Sequence, residues 1–322
     1  MPDSAVRTDD RSVSVVVPCF NTGRLILDAL ASVTDQEGPF SLHEILVVDD
    51  GSTDAATCDV LGELQAAPQV SVLRNTRRKG PAGARNTGAF AATGRWLAFL
   101  DADDLWLPGS LSARFAALDV FPDARVVSGD FQIWDAGSGQ IEENFFASRE
   151  RPARFFGPAY QSGRPVRLQR PFRETLATAL CHSCSIIVTR ELFAAVNGFE
   201  ESLMYKEDHH LWFKLARHSD LVLVPQSVFL YRQHVGNMTR RECTPFEYEK
   251  AMLDFVCRSE DLTGVHEDID KRYASGFAQD ARWFRSRRDF RAALRSCLAG
   301  LRRAPVEPQL WKQLAASLAR IE

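Results

Sequence analysis

The chain has 322 residues, 39 Lys and Arg against 42 Asp and Glu, a formal net charge of -3, and 45% hydrophobic residues. That balance excludes a protein held to nucleic acid by bulk charge, and the length gives room for two domains or for one large domain with an appendage. No apolar run approaches the roughly 20 residues that span a bilayer, residues 1–12 are polar rather than built as a secretory leader, and seven scattered cysteines read as reduced thiols of a cytoplasm.

In chain order, the valine-rich run 13–17 ends at Pro18 and predicts a buried strand. Residues 25–33 have helical spacing. A second strand, 44–48, runs into Asp49-Asp50-Gly51-Ser52, and Thr53 or Asp54 is placed to cap the next helix. A third strand is expected at 70–73 and a helix within 80–94. The fully apolar run 96–100 is a fourth strand, and Asp101, Asp103 and Asp104 stand directly behind it. After another strand at 124–133, the stretch 135–173 dissolves into Gly, Pro, Arg and Phe and reads as a long irregular excursion, which in a compact domain is often functional. A strand at 185–188, a short helix at 191–196 closed by Asn197-Gly198, and a stronger helix at 207–217 follow. Residues 221–224 and 228–232 read as edge strands around Pro225.

Beyond about residue 244 strand signals vanish and helical spacing continues. The predicted domains are therefore 1–243 and a helical region 244–322. Within the latter, 281–303 is Arg-rich, with an apolar stripe at Phe290, Leu294, Cys297, Leu298 and Leu301. It resembles one helical hairpin of a tetratricopeptide unit, too short for an array.

Strands alternating with helices predict an α/β fold with a mixed, mostly parallel sheet flanked by helices. Ligands of such sheets bind beyond the strand C-terminal ends, where Asn21, Asp50 and Asp101 fall. Clustered carboxylates there repel one another unless a cation joins them. Hard divalent ions such as Mg²⁺ or Mn²⁺ take such oxygen ligands beside phosphates. Asp103 is the first-choice ligand, with Asp101 beside it, and Asp104 is placed as the cap of a following helix. The plainer alternative is that all three only cap that helix. Asp208 shares a helix face with Leu211, Trp212 and Leu215, so the face packs inward and the carboxylate points to a cleft; the plainer alternative is that Glu207 and Asp208 merely complement the helix dipole. His209 and His210 read as helix-surface residues. Cys181-His182-Ser183-Cys184 lacks the second ligand pair that zinc needs. Among the tryptophans, Trp134 is the best candidate for stacking on a ligand.

Six motifs occur in order: Val15-Val16-Val17-Pro18-Cys19-Phe20-Asn21, Val47-Val48-Asp49-Asp50-Gly51-Ser52, Gly83-Ala84-Arg85-Asn86, Asp101-Ala102-Asp103-Asp104, Glu207-Asp208, and Tyr231-Arg232-Gln233-His234. Together, over roughly residues 12–240, they resemble the inverting family 2 glycosyltransferases of the GT-A fold. The resemblance implies that Pro18, Cys19 and Asn21 line a nucleotide pocket, that Asp50 meets the nucleobase, and that Arg85 reaches the same nucleotide. It implies Asp101 on the ribose side and Asp103 on the metal side of a D-x-D element, Asp208 as catalytic base with Glu207 as its orienting neighbour, and His234 completing the metal site. It further implies Mn²⁺ or Mg²⁺ as cofactor, a nucleotide-sugar donor (UDP-linked), and a glycan or lipid-linked glycan acceptor in cell-surface polysaccharide synthesis. The 135–173 stretch and the 181–184 segment would then face the acceptor. Where the family often has Asn-x-Gly, this chain reads Arg78-Lys79-Gly80, basic residues that would meet the diphosphate or solvent. The expected setting is cytoplasmic, with peripheral contact to the inner membrane face or a partner protein through the Arg-rich tail. The alternative is a non-catalytic, nucleotide-sugar-binding scaffold acting through that tail.

Overall fold

A computed structural model of the protein describes residues 11–234 and 243–319. The chain divides into two compact units between residues 237 and 238; the sequence reading puts the boundary at 243/244. The first unit runs β1 (Ser12–Cys19), α1 (Leu25–Thr34), β2 (Ser41–Asp49), α2 (Ala55–Leu64), β3 (Val70–Arg74), α3 (Pro81–Ala91), β4 (Trp96–Phe99), β5 (Leu105–Trp106), α4 (Ser110–Val120), β6 (Val126–Asp135), β7 (Ile141–Glu142), α5 (Glu150–Ser162), β8 (Val166–Leu168), α6 (Phe172–Ala177), β9 (Ile186–Thr189), α7 (Arg190–Ala195), α8 (Glu207–His218) and β10 (Leu221–Gln233). All strands join one sheet in the order β3-β2-β1-β4-β9-β6-β10-β5, with β7 on β6 and β8 on β10. The pairs β3-β2, β2-β1 and β1-β4 are parallel, β9 runs antiparallel between β4 and β6, and β6 pairs in parallel with β10. The long strands therefore all point to one rim, in the mixed, mostly parallel sheet expected.

The sequence explains the packing. β1 buries its valines on both faces, as a strand covered by helices on either side must. α3 lies hard against β1 and β2 because residue 88 is glycine: a Cβ there would stand 2.4 Å from Val16 Cγ1 and 3.0 Å from Val48 Cγ2. One turn earlier on the same helix is Arg85, which this close approach holds at the rim. Asp54 caps α2 by accepting from Thr57 N at 2.8 Å.

Two expectations are corrected. The stretch 135–173 is not irregular: it holds β7, α5 and β8, and α6 begins within it. Pro152 lies in the first turn of α5, where proline is tolerated, and Pro158 in its interior hid the helical pattern. The region is pinned by Asp130 in β6, whose carboxylate accepts from Phe146 N (2.6 Å), Ala147 N (2.8 Å) and the Tyr160 hydroxyl (3.2 Å). Phe146 then stacks on Phe156 of α5 at 5.1 Å. Second, 221–233 is one strand, not two edge strands. β6 flanks it on one side and β5 and β8 on the other, and its register shifts on either side of Ser227, close to Pro225.

The second unit has α9 (Glu247–Ser259), α10 (His266–Ser286), α11 (Phe290–Arg303) and α12 (Pro308–Leu318). Its buried side chains include Phe246, Met252, Leu253, Val256, Ile269 and Tyr273, with small ones between the later helices: Ala274, Ala278 and Leu310 in one cluster and Ala281, Ala293 and Cys297 in another. Asp289 caps α11 by accepting from Ala292 N at 2.8 Å. Leu298, placed in the apolar stripe by its spacing, is 50% exposed; Ala292, Ala293 and Gly300 line the buried face beside Cys297 instead. Gly276 of α10 meets Phe246 so closely that a Cβ would stand 2.0 Å from the ring. Gly276→Ala is expected to lower stability by about 1–3 kcal/mol through overpacking, seen as a lower urea midpoint; an unchanged midpoint would show that the ring moves freely.

Candidate active site

The loops at the rim are tied to one another. Pro18 is half-buried. Cys19 is buried, its thiol 3.3 Å from Thr22 Oγ1 and pushed up by burial. Asn21 sits in the left-handed region at φ 53°, and its Oδ1 accepts from Thr53 N (2.8 Å) and Asp54 N (3.2 Å), stitching the loop after β1 to that after β2. Asp50 accepts from Asn75 Nδ2 at 2.5 Å and from Gly80 N at 2.8 Å. Asn75 also accepts from Thr87 Oγ1 at 2.8 Å, so it locks the loop after β3 onto α3. The sequence reading passed over Asn75, although it follows the third strand as Asp50 and Asp101 follow theirs. Lys79 places its ammonium 4.4 Å over the exposed ring of Phe20.

Behind β4 the three aspartates separate into three roles. Asp101 Oδ1 accepts from Arg85 Nη2 at 2.6 Å. Asp103 Oδ2 lies 3.0 Å from His234 Nε2; burial and the charge of Asp101 push its carboxyl above the ordinary range, and His234 only partly offsets them. Asp104 is fully buried and accepts from Arg232 N at 2.9 Å and from the Cys184 thiol at 3.5 Å. Burial, with Asp103 and Asp101, pushes it well up. Asp104 is therefore not a helix cap: Leu105–Trp106 is a strand, and Gly109 precedes α4. Its side chain instead fastens the β4 loop to β10, the strand that delivers His234.

Arg85 is buried, and its guanidinium is taken up by two carboxylates, Asp101 and Glu207, the latter through Nη1 to Oε1 at 2.7 Å. Burial opposes its charge, but the two acids raise its pKa. Glu207 opens α8 and is buried there. Burial and then Asp208 push it up against the pull of Arg85, to about 7. Asp208 is half-buried, with Oδ1 accepting from His209 N at 2.7 Å. Burial works against its charge, yet His209, Lys206, His182 and that N–H outweigh it and hold the carboxyl below its ordinary value. Asp208 is thus ionised at neutral pH and able to accept a proton. His210, read as a surface residue, is buried.

His182 lies within electrostatic reach of both Asp101 and Asp208. Its ring stacks 4.8 Å from Phe229, and its Nδ1 accepts from Cys184 N at 3.2 Å, which leaves the neutral ring's proton on Nε2. Burial pushes its pKa down. Cys181 and Cys184 are buried, and burial pushes both thiols up. Trp134 is half-buried, with the Arg232 guanidinium 5.3 Å from its ring; Trp96, Trp106 and Trp212 are core.

Hydrogen bonds join His234 to Asp103, and Asp101 through Arg85 to Glu207; Asp103 stands two residues from Asp101 and feels its charge, and Asp208 follows Glu207 in the chain. A divalent ion would find two donor sets. Asp101, Asp104 and Cys184 offer atoms within 4.8 Å of one another, but both Asp104 oxygens already accept hydrogen bonds, from Arg232 N and from the Cys184 thiol itself. Asp103 and His234 are partly open and offer the oxygen and imidazole donors that Mg²⁺ or Mn²⁺ accepts; among the described residues no third such donor lies within the same spacing of both. The donor types of that pair suit such an ion.

A family model described as Glycosyl transferase family 2 matches residues 14–193. The chain is 27% identical over 213 residues to the UDP-Glc:alpha-D-GlcNAc-diphosphoundecaprenol beta-1,3-glucosyltransferase WfgD of Escherichia coli, covering 66% of this chain and 73% of that protein. It is 27% identical over 298 residues to the succinoglycan biosynthesis protein ExoO of Rhizobium meliloti, covering 89% and 81%. Among solved structures, S. aureus TarS 1–349 in complex with UDP-GlcNAc resembles it with a TM-score of 0.61 at 18% identity, over 96% of this chain and 88% of that one, a likeness of fold.

Proposed function

Since the chain belongs to glycosyl transferase family 2, we propose that it moves a hexosyl group from a UDP-linked donor to a hydroxyl of a glycan or lipid-linked glycan, with inversion, in cell-surface polysaccharide or glycoconjugate synthesis. The observation that supports this reading is Arg85, which bonds both Asp101, on the loop that carries Asp103 and its partner His234, and Glu207, the chain neighbour of Asp208. The substrates named for the E. coli relative, UDP-Glc and a diphosphoundecaprenol-linked sugar, support the donor and acceptor classes. The fold shared with TarS, whose structure holds UDP-GlcNAc, supports a nucleotide pocket at the rim where Pro18, Cys19, Asn21 and Asp50 lie.

In this mechanism Asp208 accepts the acceptor hydroxyl proton as the oxygen attacks the anomeric carbon in line. The bond from that carbon to the phosphate oxygen breaks, and its electron pair leaves with UDP. Glu207 and Arg85 hold Asp101 and the start of α8 in fixed relation. Mn²⁺ or Mg²⁺, held by Asp103 and His234, would supply Lewis-acid stabilisation of the diphosphate's growing charge. No helix among the described residues is long and apolar enough to cross a membrane, and the reading places the reaction on the cytoplasmic side.

The test is release of nucleoside diphosphate by the purified full chain with Mn²⁺, a panel of nucleotide sugars and lipid-linked acceptors. We expect turnover with a UDP-sugar that EDTA abolishes and added Mn²⁺ or Mg²⁺ restores. Absence of binding and turnover with every donor would end the assignment. Donor binding without turnover on any acceptor would favour the scaffold.

A further inference from the structure

The second unit exposes four large apolar side chains between residues 298 and 318: Leu298 (50%), Val306 (87%), Trp311 (53%) and Leu318 (54%). They stand among cations. On α11 the exposed positions Arg291, Arg295, Leu298 and Arg302 recur at i, i+4, i+7 and i+11, a spacing that confines them to an arc of roughly 60° of the helix. On α12, Trp311, Ala315 and Leu318 form a second exposed stripe at i, i+4 and i+7. The Trp311 indole N–H donates to Pro305 O at 2.7 Å, so its polar edge is satisfied while its apolar body meets solvent.

Several other basic side chains of the unit are occupied: Arg303 pairs with Asp270, Arg272 with Glu249, and Arg285 donates to Gln313 O. Among the described residues Arg291, Arg295, Arg302 and Lys312 have no ion-pair partner, and from 290 to 319 Glu307 is the sole acid. A merely solvated helix face mixes both charge signs and buries its leucines and tryptophans. A polyanion such as a nucleic acid would meet the arginines but leave the apolar groups unexplained, and a second copy would bring like charges together.

We propose that the α11–α12 hairpin seats the protein peripherally on an anionic lipid bilayer. The arginines and Lys312 meet headgroup phosphates, and Leu298, Val306, Trp311 and Leu318 enter the boundary between headgroups and acyl chains. The seat goes beyond the transfer reading and does not depend on it, since it uses no residue of the rim.

The experiment is vesicle co-sedimentation of the full chain with phosphatidylcholine alone and with added phosphatidylglycerol. Binding is expected only to the anionic vesicles, weakening as salt rises. The variant Arg291→Glu/Arg295→Glu/Arg302→Glu is expected to lose on the order of 100-fold in partition. Trp311→Ser/Leu318→Ser is expected to lose about tenfold or more, including at high salt. Both variants should keep the native circular dichroism melt and native transfer to a water-soluble acceptor. Absence of binding to anionic vesicles, equal binding to neutral and anionic vesicles, or native partition by the triple variant would overturn the proposal. Dimerisation abolished by the same substitutions, without vesicle binding, would overturn it in favour of a second copy.

Discussion

Asp208→Asn is expected to bind a UDP-sugar with native affinity and to transfer it about 10³-fold more slowly, within the 10²–10⁴ that a positioned general base contributes. The amide keeps the shape of the side chain and can still accept from His209 N, so the start of α8 should hold its form. What is lost is a carboxylate that the surrounding positive groups keep ionised. That low pKa has a cost: Asp208 is a weaker base than a carboxyl tuned towards 7, and burial of the acceptor hydroxyl beside it must make up the difference. Donor affinity by calorimetry and nucleoside diphosphate release give the two halves of the measurement. Transfer within tenfold of native would place the base elsewhere.

Arg85→Ala should be the most damaging single change to stability in the first unit. It leaves Glu207 buried without a counter-charge and Asp101 without its partner. Removing one member of a buried ion pair costs about 3–5 kcal/mol, and the lower end applies because Asp101 keeps 24% exposure. The loss has a pH signature. In the native protein Glu207 holds its proton up to about 7, above the ordinary 4.5. The folded state then binds that proton more tightly than the unfolded chain, and stability from this group falls as pH rises from about 4.5 to about 7. Without Arg85 the folded pKa moves higher still, so the decline continues beyond 7 where the native protein has levelled off. The variant's deficit in urea denaturation should therefore be larger at pH 8 than at pH 6. A deficit under about 1 kcal/mol, or one that shrinks with rising pH, would show that the bridge is not what holds these carboxylates.

The sheet and its rim were readable because buried parallel strands announce themselves as short apolar runs, and residues 13–17, 44–48 and 96–100 are such runs. The side-chain bridges were not. Arg85 finds Asp101 16 residues away and Glu207 122 away, and no local pattern encodes a meeting at that distance. Asp104 looked like a cap because a polar residue ahead of a helix usually is one; the two-residue strand between them, closed by pairing with Phe229 and Leu230, has no propensity signal of its own. The folding of 135–173 was masked by its prolines, which punctuate a helix on paper but are accommodated once Phe156 is buried.

Asp130 gives that region an unusual attachment. A single carboxylate on β6 receives the backbone of Phe146 and Ala147 and the hydroxyl of Tyr160, while Asp101, Asp103, Glu207 and Asp208 sit on other elements. The segment between β6 and β8 is thus held by β6 and β10: besides Asp130, β7 pairs with β6, Phe145 N donates to Phe131 O at 2.8 Å, and Asn144 accepts from Ser227 Oγ at 3.1 Å. If the proposed transfer reading holds, exchanging this segment between relatives would change which acceptor is met while Asp101, Asp103, Glu207 and Asp208 stay as they are.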